Sequence, residues 1–220
     1  MSKNIAIDGP AGAGKSTIAK RCAKELGYIY VDTGAMYRAM AIHFIDRGTD
    51  VTDEDAIKAE CADVKIDIQY ENGEQQVILN GKNVTGRLRK EEVGKMASKT
   101  SAYRCVRTKL VELQKEIAAK ENVIMDGRDI GTCVLPNADL KIYLTASAEK
   151  RAKRRYDELV AKGETPSLLE LKKDIENRDY QDMHRQESPL KQADDAILVD
   201  SSYMTIQEVA DKIMEINGSK

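Results

Sequence analysis

The chain has no apolar run that approaches the ~20 residues of a membrane-spanning helix, so no such span is expected. It has no Cys-x-x-Cys pair; its four cysteines, Cys22, Cys61, Cys105 and Cys133, are scattered, with only His43 and His184 beside them. A structural zinc centre, which needs clustered nitrogen and sulfur ligands, is not expected either. Free, mostly buried thiols in a reducing cytoplasm are the simple reading. A surplus of positive charge is also missing, because 35 basic residues face 37 acidic ones. That argues against a nucleic-acid partner, although local basic clusters exist. The opening Met1-Ser2-Lys3-Asn4 runs straight into an apolar segment, so no signal peptide is expected. There is no internal repeat or low-complexity tract. With 220 residues, the chain can bury one core with embellishments or two small domains.

What is present starts at the ninth residue. Gly9-Pro10-Ala11-Gly12-Ala13-Gly14-Lys15-Ser16-Thr17 follows the apolar run Ile5-Ala6-Ile7 and precedes a helical pattern over 18–26. It fits the spacing G-x-x-x-x-G-K-[ST] in the strand–loop–helix setting that the motif needs. Glycines let successive N–H groups turn inward around a phosphate. The helix behind them adds free N–H groups and its positive dipole end. Lys15 can reach the β- and γ-phosphates of a nucleotide, and Ser16 can hold Mg²⁺.

Five β-branched-rich runs, 4–8, 28–32, 122–126, 140–145 and 196–200, are continuously apolar rather than alternating. That suits strands buried on both faces. With helical patterns between them, they predict a parallel sheet in a doubly wound α/β fold, helices on both faces. Four of the runs end in aspartate, Asp8, Asp32, Asp126 and Asp200. Ligands of such sheets sit beyond the carboxyl ends of strands, so several of these acids are expected in one crevice. Each also has a plainer reading, a polar cap at a strand end. Between the second and third runs, 64–70 and 75–80 read as strands joined at Asn72-Gly73. Asn80-Gly81 marks a further turn before a third short strand, giving an antiparallel insert flanked by helical segments at 34–47 and 91–120. After the fourth main strand, Ser147 reads as an N-cap. A helix carrying Arg151, Arg154 and Arg155 stops near Gly163, a corner expected to be mobile. Ser167 and Glu170 have capping-box spacing and open another helix, which runs to about Arg185.

A phosphate loop indicates a nucleotide but not a reaction. The guanine-reading N-K-x-D of a GTPase switch is absent, as is D-F-G; Gly127-Arg128-Asp129 is followed five residues on by Val134 rather than a metal-binding Asn. What the chain offers instead is arginines. Arg38 follows the second strand, Arg128 the third, Arg178, Asp182 and Arg185 share a helix face, and so do Arg151 and Arg155. Phosphoryl transfer is mostly positioning and charge stabilisation, and guanidinium binds phosphate through paired bonds. Taken singly, each arginine reads equally well as part of a solvated helix face.

Five pieces together resemble the bacterial cytidylate kinases, in the nucleoside monophosphate kinase group. They are 7–17, Asp32-Thr33-Gly34-Ala35-Met36-Tyr37-Arg38, Asp126-Gly127-Arg128-Asp129-Ile130-Gly131-Thr132, 151–155, and Arg178-Asp179 with Asp182 and Arg185. They stand in the family's order and span nearly the whole chain. The resemblance implies a P-loop kinase fold with a five-stranded parallel sheet, a small antiparallel-sheet monophosphate-binding insert and a helical lid. The boundaries expected are core at 1–38, insert at 39–105, core at 106–150, lid at 151–166 and core at 167–220. It further implies transfer of the γ-phosphoryl group of ATP, with Mg²⁺, to CMP or dCMP by a cytoplasmic monomer, with no nucleic-acid or membrane partner.

The resemblance also distributes roles. The donor would lie in 9–17, with Lys15, Arg128, Arg151 and Arg155 catalytic. Mg²⁺ would sit on Ser16, with Asp32 or Asp126 through water. Thr33, Arg38, Arg128 and Arg185 would hold the acceptor phosphate, and Tyr37 would pack at the acceptor. Arg178 and Asp182 would take the ribose hydroxyls. Ser98, Arg107 and Asp129 would read cytosine, with Ser98 and Arg107 resting on a less distinctive helix. Two rivals remain open at this level. One is a kinase of the same fold with another acceptor, and the other is a protein that hydrolyses ATP slowly to switch shape.

Overall fold

In the computed structural model residues 2–218 are described; Met1 and residues 219–220, the outermost residues of the expected core segments, lie outside the described residues. The chain divides into two compact units, Met1–Tyr30 with Glu121–Lys220, and Val31–Lys120. Five strands, β1 (Asn4–Asp8), β2 (Ile29–Asp32), β6 (Val123–Gly127), β7 (Leu140–Thr145) and β8 (Ile197–Asp200), form one sheet in the order β2-β6-β1-β7-β8. β1 pairs in parallel with β6 on one side and β7 on the other, and β7 with β8. Strands β1 and β6 are buried almost throughout, as continuous apolar runs predict.

The first unit also holds helices α1 (Lys15–Leu26), α6 (Ala148–Ala161), α7 (Leu168–His184) and α8 (Ile206–Gly218); α1 packs on β1, β6 and α8, and α6 packs on α7. α1 buries Ile18, Ala19, Cys22 and Ala23 on one face against a cluster that includes Ile5, Ile7, Ile124 and Leu144. It stops at Gly27, whose φ of 67° and N–H bond to the Ala23 carbonyl make a left-handed cap. α6 and α7 open as their sequences predict, with Ser147 Oγ accepting from Lys150 N–H and Ser167 Oγ from Glu170 N–H. No helix among the described residues is long and apolar enough to cross a membrane.

In the second unit, β3 (Ile66–Glu71), β4 (Glu74–Leu79) and the short β5 (Lys82–Asn83) form the antiparallel sheet. Its turns carry positive φ at Asn72, Gly73, Asn80 and Gly81, as the Asn-Gly signals require. α2 (Thr33–Arg47) packs against β4 and against α4 (Glu91–Thr100), and α3 (Glu54–Asp63) packs against α5 (Arg104–Lys120). Two features differ from expectation. The stretch 91–120 is two helices, broken at 101–103, where Ser101 Oγ bonds back to the Ser98 carbonyl and Tyr103 Oη donates to the Val51 carbonyl. α3 was not legible, because it buries only Ile57 and Cys61 and so lacks a strong apolar stripe.

The loop after β1 is seated by close backbone approach. Gly9 has φ 147°, and a Cβ there would lie 1.9 Å from the Leu144 carbonyl oxygen of β7. Gly9→Ala must therefore push the loop off the sheet, at a cost of about 3 kcal/mol or more. Urea unfolding at neutral pH checks this, and an unchanged midpoint would contradict the seating described.

Candidate active site

Three carbonyls of the loop from Gly9 to Thr17 are held by side-chain donors. Lys15 Nζ donates to the Pro10 carbonyl at 2.8 Å, Arg151 Nη1 to that of Ala11 at 2.8 Å, and Ser201 Oγ to that of Ala13 at 3.3 Å. A loop whose carbonyls are occupied in this way can present its N–H groups to an anion. Lys15 is buried. Burial, with Arg128 nearby, pushes its ammonium down to about 7, against the pull of Asp126, Asp8 and Asp182.

Two strand-end carboxylates stand beside the loop, both buried. Asp126, on β6, accepts from Ser16 Oγ at 2.9 Å and from Tyr30 Oη at 2.7 Å. Asp8, on β1, accepts from the N–H groups of Ile130 at 2.8 Å and Gly131 at 2.7 Å. Burial raises its carboxyl to about 6, although both amides favour the ionised form. The other two strand-end acids are caps. Asp200 takes Ser202, and Asp32 accepts from Ala35 N–H at the start of α2.

Beyond β6 the chain brings together four of the expected residues. Arg128 Nε donates to Asp182 Oδ2 at 2.8 Å, Arg185 Nη2 to Asp129 Oδ1 at 3.3 Å, and Arg185 Nη1 lies 3.8 Å from Asp182 Oδ1. Arg185 is not on the helix itself; it is the residue that ends α7, and its guanidinium also donates to the Ser188 carbonyl. Burial works against the charge on Asp182, but Arg128, Arg178 and Arg185 outweigh it and hold its carboxyl below the usual range. Arg151, buried on α6, forms a two-bond pair with Asp179 of α7. Arg155 stands apart, exposed and paired with Glu158 at 3.3 Å.

Arg178 lies partly buried on α7 in the first unit. The second unit holds the other expected residues, Thr33, Tyr37, Arg38, Ser98 and Arg107. Thr33 is buried in the first turn of α2, and Tyr37 and Arg38 are partly buried one turn on. Arg107, on α5, is buried, with its guanidinium 5.6 Å from the centre of the Tyr37 ring and Nη1 donating to the Ser101 carbonyl. Ser98 sits half-buried on α4. The backbone of Asp32 is clamped by the Gln75 side chain, which accepts from its N–H at 2.8 Å and donates to its carbonyl at 3.2 Å.

A family model for cytidylate kinase matches residues 5–218. The chain belongs to the cytidylate kinase family. A cytidylate kinase from Lactobacillus johnsonii is 53% identical over 216 residues, covering 98% of this chain and 94% of the relative. Another from Caldicellulosiruptor bescii is 50% identical over 213 residues, covering 97% and 94%. Among solved structures, a gluconokinase from Sinorhizobium meliloti aligns with a TM-score of 0.52 at 14% identity, over 99% of this chain and 92% of that one. A shikimate kinase from Bacteroides thetaiotaomicron aligns at 0.50 and 14%, over 97% of both. These two likenesses show the P-loop kinase fold and nothing finer.

Asp179, Ser201 and Tyr30 carry no sequence signal that ties them to the site, whereas Arg154 stands beside Arg151 and Arg155 among the arginines the sequence offers. Arg154 reaches Ser201, its Nη2 donating to that carbonyl at 2.6 Å. Asp179 lies inside the quoted Arg178-Asp179 piece, but nothing in its spacing ties it to Arg151.

Lys15 generates a pH prediction. Its folded-state pKa lies below that of the unfolded chain, so the folded protein binds fewer protons. It then loses stability as pH falls from about 10.5 to about 7. The stability of Lys15→Met relative to the wild-type protein without ligand should therefore be more favourable at about pH 6 than at about pH 9, whatever the loss of the bond to the Pro10 carbonyl costs at both. An equal difference at both pH values by calorimetry would contradict a lysine desolvated to this degree.

Proposed function

We propose that the chain transfers the γ-phosphoryl group of ATP to CMP or dCMP, giving ADP and CDP or dCDP. The observation that carries this reading is the cluster of Arg128, Asp129, Asp182 and Arg185 on the unit that bears the phosphate loop, in a chain of this family.

In this reading the donor phosphates bind along 9–17, and Lys15 leaves the Pro10 carbonyl to meet them. Among the described residues, no three or more histidine, cysteine or acidic side chains are grouped to hold a metal. The Ser16 hydroxyl and Asp126 carboxylate nonetheless form a hard-oxygen pair that suits Mg²⁺ shared with phosphate oxygens. Ser16 would bind the ion directly and Asp126 through water, with Asp32 the alternative named by the sequence; the ion would neutralise phosphate charge. Arg128 and Arg185 take the acceptor phosphate on the first unit, and Thr33 and Arg38 are its ligands on the second. Arg178 and Asp182 bind the ribose, and Tyr37 packs at the acceptor. An acceptor phosphate oxygen is already ionised, so no strong general base is required. Arg151 and Arg155 close over the donor as the lid, 151–166, excludes water that would compete as acceptor. Residues 39–105 act as the monophosphate-binding insert. The enzyme works as a cytoplasmic monomer, without nucleic acid or membrane.

Asp129 accepts a hydrogen bond from the exocyclic amine of cytosine, while Ser98 and Arg107 donate to the acceptor edge of the ring. Uracil would set a carbonyl against Asp129 and leave buried groups unpaired. A panel of CMP, dCMP, UMP and AMP with ATP and Mg²⁺ tests the reading: CMP and dCMP should be phosphorylated at least about a hundredfold more efficiently than UMP. Lys15→Ala and Arg128→Ala should each lose about a hundredfold or more in turnover while staying folded. Asp129→Asn should narrow the CMP-to-UMP ratio. Near-normal turnover in either alanine variant, or an unchanged ratio, would overturn the corresponding role.

A further inference from the structure

The β1–β6 ladder ends at the pair Asp8 and Gly127. The next two residues, Arg128 and Asp129, lie outside it. What catches the chain again is a single side chain. Asp8 spends one carboxylate oxygen on Ile130 N–H and the other on Gly131 N–H, in a setting where only 5% of the residue is exposed. Those amides open a π-type turn, Ile130–Val134, closed by Leu135 N–H on the Ile130 carbonyl at 2.6 Å. First-turn N–H groups have no partner within their own turn, so an outside acceptor fixes how the turn sits. The fit is close. A Cβ on Gly131 would lie in ordinary contact with Asp8 Oδ2, at 3.4 Å, and tightly against Lys141 Cδ, at 3.1 Å, so a side chain there would press on Lys141 beside the turn.

A buried carboxylate is costly unless its bonds are well made. A serine, threonine or asparagine can satisfy one such amide without burying charge. A carboxylate satisfies both amides at once and fixes the turn in two directions. Asp8 also immediately precedes Gly9, the first residue of the phosphate loop, so one residue joins the start of that loop to the turn that aims Arg128 and Asp129.

We propose that Asp8 is a positioning residue for acceptor recognition, which locks the Ile130–Gly131 backbone so that Arg128 and Asp129 point in a fixed direction from the end of β1. The proposal rests on the roles given above to Arg128 and Asp129. It goes further in assigning CMP recognition to a residue on the donor side of the fold that would touch neither substrate.

Asp8→Asn tests it, because the amide keeps the shape but can accept only one of the two N–H groups. KM for CMP should rise about tenfold and the CMP-to-UMP ratio should fall, with KM for ATP changed less than about twofold. The amide proton resonances of Ile130 and Gly131 should move upfield while the rest of the first unit keeps its spectrum. Asp8→Ser, whose shorter hydroxyl can accept from one of the two amides at most, should reproduce the KM split and serves if Asp8→Asn does not fold. An unchanged KM for CMP with shifted amides would make the bonds merely structural, and equal rises for CMP and ATP would assign Asp8 to the phosphate loop; either result overturns the proposal. A wild-type protein that ignores CMP would instead overturn the function proposed above, and the amide shifts would still read the bonds themselves.

Discussion

A loop that gathers anions with its backbone N–H groups must turn its carbonyls elsewhere, and buried carbonyls need donors. The rest of the first unit is arranged around that constraint. Lys15 takes the Pro10 carbonyl, Arg151 of α6 takes that of Ala11, and Ser201, just beyond β8, takes that of Ala13. Elements distant in sequence thus meet at nine residues, and Gly9 allows the loop to rest on the Leu144 carbonyl. The fold is committed to the loop in a way that a glycine-rich turn on a surface would not be.

The same region contains charges that the chain has partnered internally. Arg128 with Asp182, Arg185 with Asp129, and Arg151 with Asp179 are partly or fully buried pairs. Such pairs contribute little net stability, because desolvation offsets most of the attraction. Their value lies in holding guanidinium groups in place before phosphates arrive. In the proposed reading, substrate phosphate would exchange one anion for another, and the carboxylates of Asp129 and Asp182 would become available to a base amine and ribose hydroxyls. Burial and Arg128 hold the Lys15 ammonium low, and the negative charge of donor phosphates would favour its protonated form.

Much of this was legible in the sequence, for identifiable reasons. Strands buried on both faces leave unbroken apolar runs, so the five main strands could be placed to within a residue or two. The insert was legible because Asn72-Gly73 and Asn80-Gly81 need positive φ, which few other pairs supply. What escaped was whatever depended on distant partners or weak patterning. Helix α3 buries too few apolar residues to show a period, and its signal was the cap at Asp53, which accepts from the N–H groups of Asp55 and Ala56. The break at 101–103 depends on Tyr103 reaching Val51. Arg151 and Asp179 lie on different helices, so no spacing rule pairs them. Arg155 shares a helix face with Arg151 in the sequence, yet it is exposed while Arg151 is buried.

The measurement that reaches the central claim most directly follows the label of γ-³²P-ATP mixed with the protein, Mg²⁺ and CMP and quenched on the millisecond scale. Label lost from ATP should appear in CDP, with inorganic phosphate a minor product and no label on the protein. Label accumulating as inorganic phosphate while CMP stays unmodified would mean that the chain spends nucleotide as a switch, and would contradict a site built to pass phosphoryl groups between two nucleotides.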